Sequence, residues 1–269
     1  MSDRQDVLKV LVTGAYGLIG NLIYAHLAAQ PDRYVVYGSS RRPHPSLRAS
    51  GMTYHDIPKD KLRLAELTDI GAVQHALEGV DIVVHMAADA SGSAGWESVL
   101  HNNIIGVHNL FEACRLTGVR RVLYASTNQV VFGYRDTEPY KSLFEARFDT
   151  LDPATIRPIE HVQPARPLND YACSKVYGEA LAHYYAHVHG LSCIVLRVGW
   201  VTADNRLPRP AARALWCSQR DCVQLVERAI NAPADLHYDV FFVQSANTYN
   251  LVDIQHARAV LGYAPEDGV

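Results

Sequence analysis

The five cysteines (114, 173, 193, 217 and 222) form no CxxC pair and follow no regular spacing. Reduced thiols in a cytoplasmic protein are therefore the expectation. No apolar run approaches the roughly 20 residues that span a bilayer, so no membrane association is expected. The opening MSDRQDVLKVLVTG is polar and runs straight into a strand-like segment, which argues against a signal peptide. An excess of positive charge is also missing. Lys and Arg number 25 against 28 Asp and Glu, a net charge of -3, which removes the electrostatic basis for nucleic acid as a main partner. There is no GxSxG nucleophile elbow, so hydrolase chemistry has no support. His183 and His187 stand at i, i+4 in AHYYAHVHG, a spacing able to bind metal, yet no Glu completes an HExxH pattern. They read as part of a packed or dimer-facing helix, and no metal is expected.

What is present is an ordinary globular composition, 48% hydrophobic and 20% charged over 269 residues, enough for one large domain or one domain with a smaller lobe. Short β-branched runs alternate with helical stretches, the pattern of a parallel sheet with crossover helices. VLKVLVTG, YVVYG, DIVVHMAA, RVLYAST and LSCIVLRVG read as strands. LIGNLIYAHLAA, DIGAVQHALEG, WESVLHNNIIGVHNLFEACRLTG and the stretch from about Tyr171 read as helices. Between MTYHD and KLRLAEL, the latter is the better third strand. Gly133 to Leu168 and Thr202 to Pro210 are long and irregular, and both follow strand ends, where open α/β sheets bind ligands. The expected fold is α/β, a Rossmann-type doubly wound parallel sheet with a small C-terminal substrate lobe. Residues 1–200 would form the dinucleotide-binding domain, with a substrate-loop insertion at 133–168, and 201–269 the lobe.

VTGAYGLIG places Gly14, Gly17 and Gly20 between a strand and a helix. Such glycines permit a tight turn and let backbone N–H groups approach a pyrophosphate at the helix N-terminus. An NAD site usually offers an acidic side chain at the end of the second strand for the ribose 2′-hydroxyl. Here that position holds Ser39, Ser40, Arg41 and Arg42. Hydroxyls and guanidinium groups suit a 2′-phosphate, so NADP is the expected cofactor and NAD the alternative. In NDYACSKVYGE, Tyr171 and Lys175 lie one helical turn apart and share a face. A buried phenol beside a fixed positive charge ionises more easily, so the pair is either a proton-transfer device or an accident of a surface helix.

The glycine turn, HMAA at His85 to Ala88, ASTN at Ala125 to Asn128 and YACSK together resemble an extended short-chain dehydrogenase/reductase, of the NAD-dependent epimerase/dehydratase superfamily. NNIIGVHNLFEA, LRVGWVT, LWCSQRDC and the closing ARAVLGYAPED make the chain most similar to uronate dehydrogenases and related sugar dehydrogenases. The resemblance implies Tyr171 as acid/base and Lys175 as the residue that lowers its pKa and holds the nicotinamide ribose. Thr127 takes the hydroxyl position that bonds the reacting oxygen, with Ser126 a weaker substitute. For the cofactor it implies Gly14, Tyr16, Gly17, Leu18, Ile19 and Gly20, then Ser39, Ser40, Arg41, Arg42, Glu66 and Leu67, and finally Met86, Ala87, Ala88 and Val198 beside Tyr171 and Lys175.

Two departures from uronate dehydrogenases stand out. Gln129 replaces a histidine, and the arginine that grips the substrate carboxylate falls at Ala211, flanked by Arg209 and Arg213. Ser91, Ser93, Asn128, Gln129 and Arg213 are the candidate substrate contacts. The expected activity is NAD(P)-dependent hydride transfer with a sugar or related hydroxyl or carbonyl compound; a neutral sugar, a phosphorylated sugar and a non-sugar alcohol all remain open. The alternatives are an epimerase or dehydratase with retained cofactor, the dehydratase being disfavoured by the neutral Asn128 and Gln129, and a non-catalytic dinucleotide sensor. A homodimer through the helices around Asn103 to Thr117 and Tyr171 to His189 is implied by the resemblance alone.

Overall fold

Strands buried on both faces need no polar side, which is why the runs read in the sequence are almost continuously apolar. In chain order they become β1 Leu8–Thr13, β2 Tyr34–Ser40, β3 Leu62–Leu64, β4 Ile82–His85, β5 Arg121–Thr127, β6 Ser192–Val198 and β7 Tyr238–Val243. The computed structural model describes residues 7–45, 53–93 and 95–269. The strands form one sheet ordered β3-β2-β1-β4-β5-β6-β7, every neighbouring pair parallel. Side-chain alternation divides each strand between two helix layers. Val10, Val12, Val84, Leu123 and Ile194 pack on one side with α1 (Leu18–Ala28), α7 (Gln219–Ile230) and α8 (Gln255–Leu261). Leu11, Val83, Val122, Tyr124 and Val195 pack on the other with α2 (Ile70–Ala76), α4 (Gly106–Thr117) and α6 (Asp170–His189).

Local chemistry sets the helix limits. Asn169 accepts from the backbone N of Ala172 at 2.8 Å to start α6, and Gly190 in the left-handed region (φ 70) ends it. The helix expected from WESVLHNNIIGVHNLFEACRLTG is continuous but not uniform. A short α3 (Trp96–Val99) passes through a π turn at Leu100–Ile105 into α4. The widened turn carries Asn103 into full burial, where it bonds both backbone groups of Asp89 and the Ser174 hydroxyl.

The third strand falls where the sequence reading favoured it, and two later stretches show more order than it described. KLRLAEL supplies the third strand, while Thr53 to Asp56 form none and Met52 lies outside the described residues. The stretch from Gly133 to Leu168 is organised, with a 3-10 segment reaching Asp136 and α5 at Tyr140–Phe144. Its Leu143 and Ile159, with Val130 and Val131 just before it, bury against Phe242 and Val252 in a third core. Its turns are too short to leave a periodic signal. Residues 201–269, expected as a separate lobe, also supply α7, α8 and β7, which pairs with β6 along its length. Among the described residues no helix is long and apolar enough to cross a membrane.

Candidate active site

The C-terminal ends of β1, β2, β4, β5 and β6 face one side of the sheet, and two adjoining cavities open there. The first turn explains the opening. Gly14 has φ 64, and a Cβ on it would lie 2.9 Å from the Ala87 backbone. A Cβ on Gly20 would lie 2.2 Å from the Gly14 carbonyl oxygen. Gly17 then caps α1 with no side chain, leaving the N–H groups of the first helical turn to the cavity. A pyrophosphate fits such a cradle, and side chains at these positions would fill it. Behind it, the buried His85 braces the turn. Its Nδ1 lies 2.8 Å from Thr13 Oγ1, which accepts from Ala87 N, and burial lowers its pKa to about 3, so the ring is neutral.

The smaller cavity, about 210 Å³, is lined by Tyr16, Ser39, Ser40, Arg41, Arg42, Glu66, Leu67 and Ala87, and it shares Gly14, Gly17, Met86 and Ala88 with the larger one. Arg41 Nη1 donates to Asn102 Oδ1 at 3.3 Å, and Ser40 Oγ accepts from Arg42 N at 3.2 Å. The larger cavity holds about 670 Å³, within the usual size of small-molecule sites. Leu18, Ile19, Gly20, Thr127, Tyr171, Lys175 and Val198 all line it. Every residue expected to hold a dinucleotide thus borders one cavity or the other.

Tyr171, Lys175 and Thr127 are buried together in the larger cavity's wall. Lys175 Nζ donates to the Ala125 carbonyl at 2.7 Å and sits 5.8 Å from the Tyr171 ring. Burial drives the lysine's pKa down to about 7, with Glu179 pulling it back up. Burial raises the Tyr171 phenol to about 12, against a hydrogen bond with Thr127 and reinforced by Asp89. Desolvation dominates both groups, and one of the lysine's donors goes to a backbone carbonyl. Ser126 is occupied elsewhere. Its Oγ donates to Glu179 at 2.5 Å, and the same carboxylate takes two bonds from Arg197 at 2.9 and 2.8 Å.

The substrate expectations divide. Asn128 and Gln129 line the larger cavity, although Asn128 Nδ2 is turned inward onto Gln244 at 2.9 Å, and Gln129 Oε1 accepts from Asn169 at 3.0 Å. Ser91 and Ser93 bond each other at 2.9 Å outside the lining, on the loop whose Gly92 approaches Gln129 and Asn169. Arg213 lies over the Phe148 ring in the third core with its Nε buried and unpaired, and is also outside the lining. Arg209 lines the cavity instead, its guanidinium 4.9 Å from the Trp200 ring. Trp200, Phe132, Asn169 and Asn102 are lining residues that the sequence reading did not name. Asn102 had a signal in the NNIIGVHNLFEA run and Asn169 in NDYACSKVYGE. The others come from irregular segments with none.

Residues 10–215 match the model of the NAD dependent epimerase/dehydratase family. The chain is 34% identical over 260 residues to an NAD-dependent glucose-6-phosphate dehydrogenase of Haloferax volcanii, covering 96% of this chain and 93% of that one. It is 32% identical over 268 residues to an L-arabinose 1-dehydrogenase (NAD(P)(+)) of the same organism, covering 96% of each. Among solved structures it superposes on uronate dehydrogenase from Agrobacterium tumefaciens with a TM-score of 0.77 at 27% identity, covering 98% of this chain and 86% of that one.

Proposed function

The chain belongs to the NAD dependent epimerase/dehydratase family, and within it we propose an NAD(P)-dependent dehydrogenase acting on a sugar hydroxyl. The observation that carries this reading is the meeting of Thr127, Tyr171 and Lys175 in one cavity wall with Gly14 and Gly17. The glycine turn and the start of α1 would hold the pyrophosphate, and Lys175 the nicotinamide ribose. A bound nicotinamide supplies the hydride acceptor in the oxidative direction. Thr127 orients the substrate oxygen, since Ser126 is committed to Glu179. Tyr171 exchanges the proton at that oxygen. For the phenol to accept it near neutral pH, its pKa has to fall from about 12, and the buried cation one turn along α6 is Lys175.

For the cofactor the reading is NADP over NAD, supported by Ser39, Ser40, Arg41 and Arg42 in the smaller cavity. For the substrate it is a sugar bearing a phosphate or carboxylate. Arg209 at the larger cavity supports this, because it has no ion pair among the described residues. The relatives named for glucose 6-phosphate and uronate act on sugars of that kind. The substrate wall would consist of Asn128 to Phe132, Asn169 and the segment around Trp200 to Leu215. Exposed Leu116 on α4 and exposed Tyr184 and Val188 on α6 support a homodimer through that face, which light scattering would test. Five free cysteines support a reducing, cytoplasmic setting.

The test is the absorbance of reduced nicotinamide with NAD⁺ and NADP⁺ across aldoses, sugar phosphates and uronates. Tyr171→Phe should lower turnover by about 10²–10⁴-fold with cofactor affinity retained. Full turnover in Tyr171→Phe would overturn the assignment. A protein that keeps its cofactor bound and gives no net reduction would instead be an epimerase.

A further inference from the structure

The cavities open at the C-terminal ends of the strands. A second group of chemically capable side chains gathers toward the start of β7, well away from them. Three segments distant in sequence contribute: His161 from the insertion, Asp239 from the second position of β7, and His256 from the first turn of α8. One candidate ligand atom from each lies within 4.8 Å of the other two, and among the described residues no other set of three His, Cys, Asp or Glu side chains meets that condition.

The pieces are held in place by packing. His256 Nε2 lies 2.9 Å from both carboxylate oxygens of Asp239. The His161 ring stacks on His256 with centroids 3.8 Å apart and planes at 9°, and Phe241 covers His256 at 5.0 Å. His256 donates its backbone N–H to Asp253 at 3.3 Å, and Ile159 bridges to Val252. The insertion, β7 and α8 therefore meet at this point. One feature is unexplained by packing alone: His161 Nδ1 is buried and has no hydrogen-bond partner. A buried ring nitrogen left unpaired costs free energy and calls for a partner.

The local charge favours a cation. Asp239 and Asp253 face the two rings, while the nearby Arg197, which donates to the His161 carbonyl at 3.1 Å, is neutralised by Glu179. Side-chain exposures of 24% for His256 and 19% for Asp239 leave an approach from solvent.

We propose that His161, Asp239 and His256 form a binding site for a divalent transition-metal ion of the zinc type, which fastens the insertion to β7 and α8. Two imidazoles and one carboxylate are a borderline ligand set that suits zinc over magnesium or calcium. Such an ion takes four ligands, and water would supply the fourth. An imidazole lone pair lies in the ring plane, so two parallel rings cannot both aim at one ion. Binding thus turns His161 out of its stack and replaces the His256–Asp239 hydrogen bond. Ligand atoms at zinc distances stand about 3.3 Å apart, and the His256–Asp239 pair already approaches that spacing.

The test uses the untagged full chain, stripped with a chelator and titrated with Co²⁺ as a coloured stand-in for Zn²⁺. The expected result is one equivalent bound with a visible d–d band, bleached by Zn²⁺, and a Tm that rises with Zn²⁺. His161→Gln and His256→Gln should each weaken binding at least as much as the ~10–100-fold that loss of an outer-shell partner costs. The exposed pair His183 and His187, stacked at 4.0 Å on α6, is the internal control: the double substitution His183→Gln/His187→Gln should leave the band intact. Absence of stoichiometric uptake by the wild-type chain overturns the proposal whatever the variants do. So does a band that survives both His161→Gln and His256→Gln, or one lost in the α6 control. None of these outcomes bears on the dehydrogenase reading.

Discussion

Replacing Lys175 with methionine should make the protein more stable and abolish its turnover. The lysine is buried, its ammonium is satisfied by one carbonyl at 2.7 Å, and its pKa falls from 10.5 to about 7. In the unfolded chain the amine stays protonated up to its ordinary pKa, whereas in the folded protein it loses its proton above about 7. Between those two pH values the unfolded state binds more protons, so this group makes stability rise with pH from about 7 to 10.5. Below about 7 it is a constant cost. At ~1.4 kcal/mol for each pH unit of that window, the cost is on the order of 4–5 kcal/mol. Methionine fills similar space without a charge. It leaves the Ala125 carbonyl without this donor, which costs about 1–3 kcal/mol. The net gain is roughly 1–4 kcal/mol near pH 7, which raises Tm at ~2–4 °C per kcal/mol. The assay is urea unfolding of both proteins from about pH 6 to pH 10, the range in which the lysine titrates. The variant's advantage should be widest at the acid end, shrink as pH rises, and give way to a deficit of about 1–3 kcal/mol at the alkaline end, where only the unpaired carbonyl remains. Tyr171 does not interfere, because its folded pKa of about 12 lies above the unfolded value of 10.0 and it lowers stability only as pH rises beyond that. A Lys175→Met protein less stable than wild type at pH 7, or a gap that does not change with pH, would refute the reasoning.

Glu179→Ala leaves Arg197, only 5% exposed, without its charge partner. The expected loss is about 3–5 kcal/mol, a Tm drop of roughly 6–20 °C by calorimetry. The double substitution Glu179→Leu/Arg197→Met should recover most of it, since a buried pair exchanged for apolar groups is often neutral. Arg41→Ala combined with Arg42→Ala should cut kcat/KM for NADP⁺ by about 10–100-fold, the worth of one or more charge-assisted bonds, with NAD⁺ kinetics unchanged. Equal loss with both cofactors would remove the 2′-phosphate role. Arg209→Gln should raise KM for a sugar phosphate or uronate by about tenfold or more and leave a neutral aldose unaffected. Parallel losses on both substrate types would show that the arginine only supports the cavity.

The central strands were legible because burial on both faces makes each one a short apolar run between turn signals. β7 was not, although YDVFFV has the same character. It follows the irregular stretch after Thr202, and nothing local says that α7 returns the chain to lie beside β6. The glycine turn and the Tyr171–Lys175 spacing were legible for a different reason: both are fixed offsets within one turn or helix. The larger cavity's outer wall is assembled from non-periodic segments, so counting along the chain could not decide between Arg209 and Arg213. Pro210–Ala214 is a tight 3-10 turn that sends Arg213 to Phe148 and leaves Arg209 at the cavity. The charge states were also beyond the sequence. Proximity in sequence argued that Lys175 lowers Tyr171, and only the depth of burial reveals that desolvation outweighs it.

Glu179 connects these points, although it lines neither cavity. Ser126 and Thr127 at the end of β5 both line the larger cavity, and their hydrogen bonds tell them apart. Ser126 donates to Glu179, which Arg197 holds in a fixed orientation, and Thr127 is left to Tyr171. Glu179 also stands one helical turn beyond Lys175 on the same face of α6, where its charge pulls the lysine's pKa upward against burial. A carboxylate remote from the cavity thus influences both which hydroxyl is available to a substrate and how much positive charge Lys175 retains. Hydrophobic replacement of the Glu179–Arg197 pair would keep the fold and lose both influences. Stability and proton transfer therefore place separate demands on the same buried ion pair.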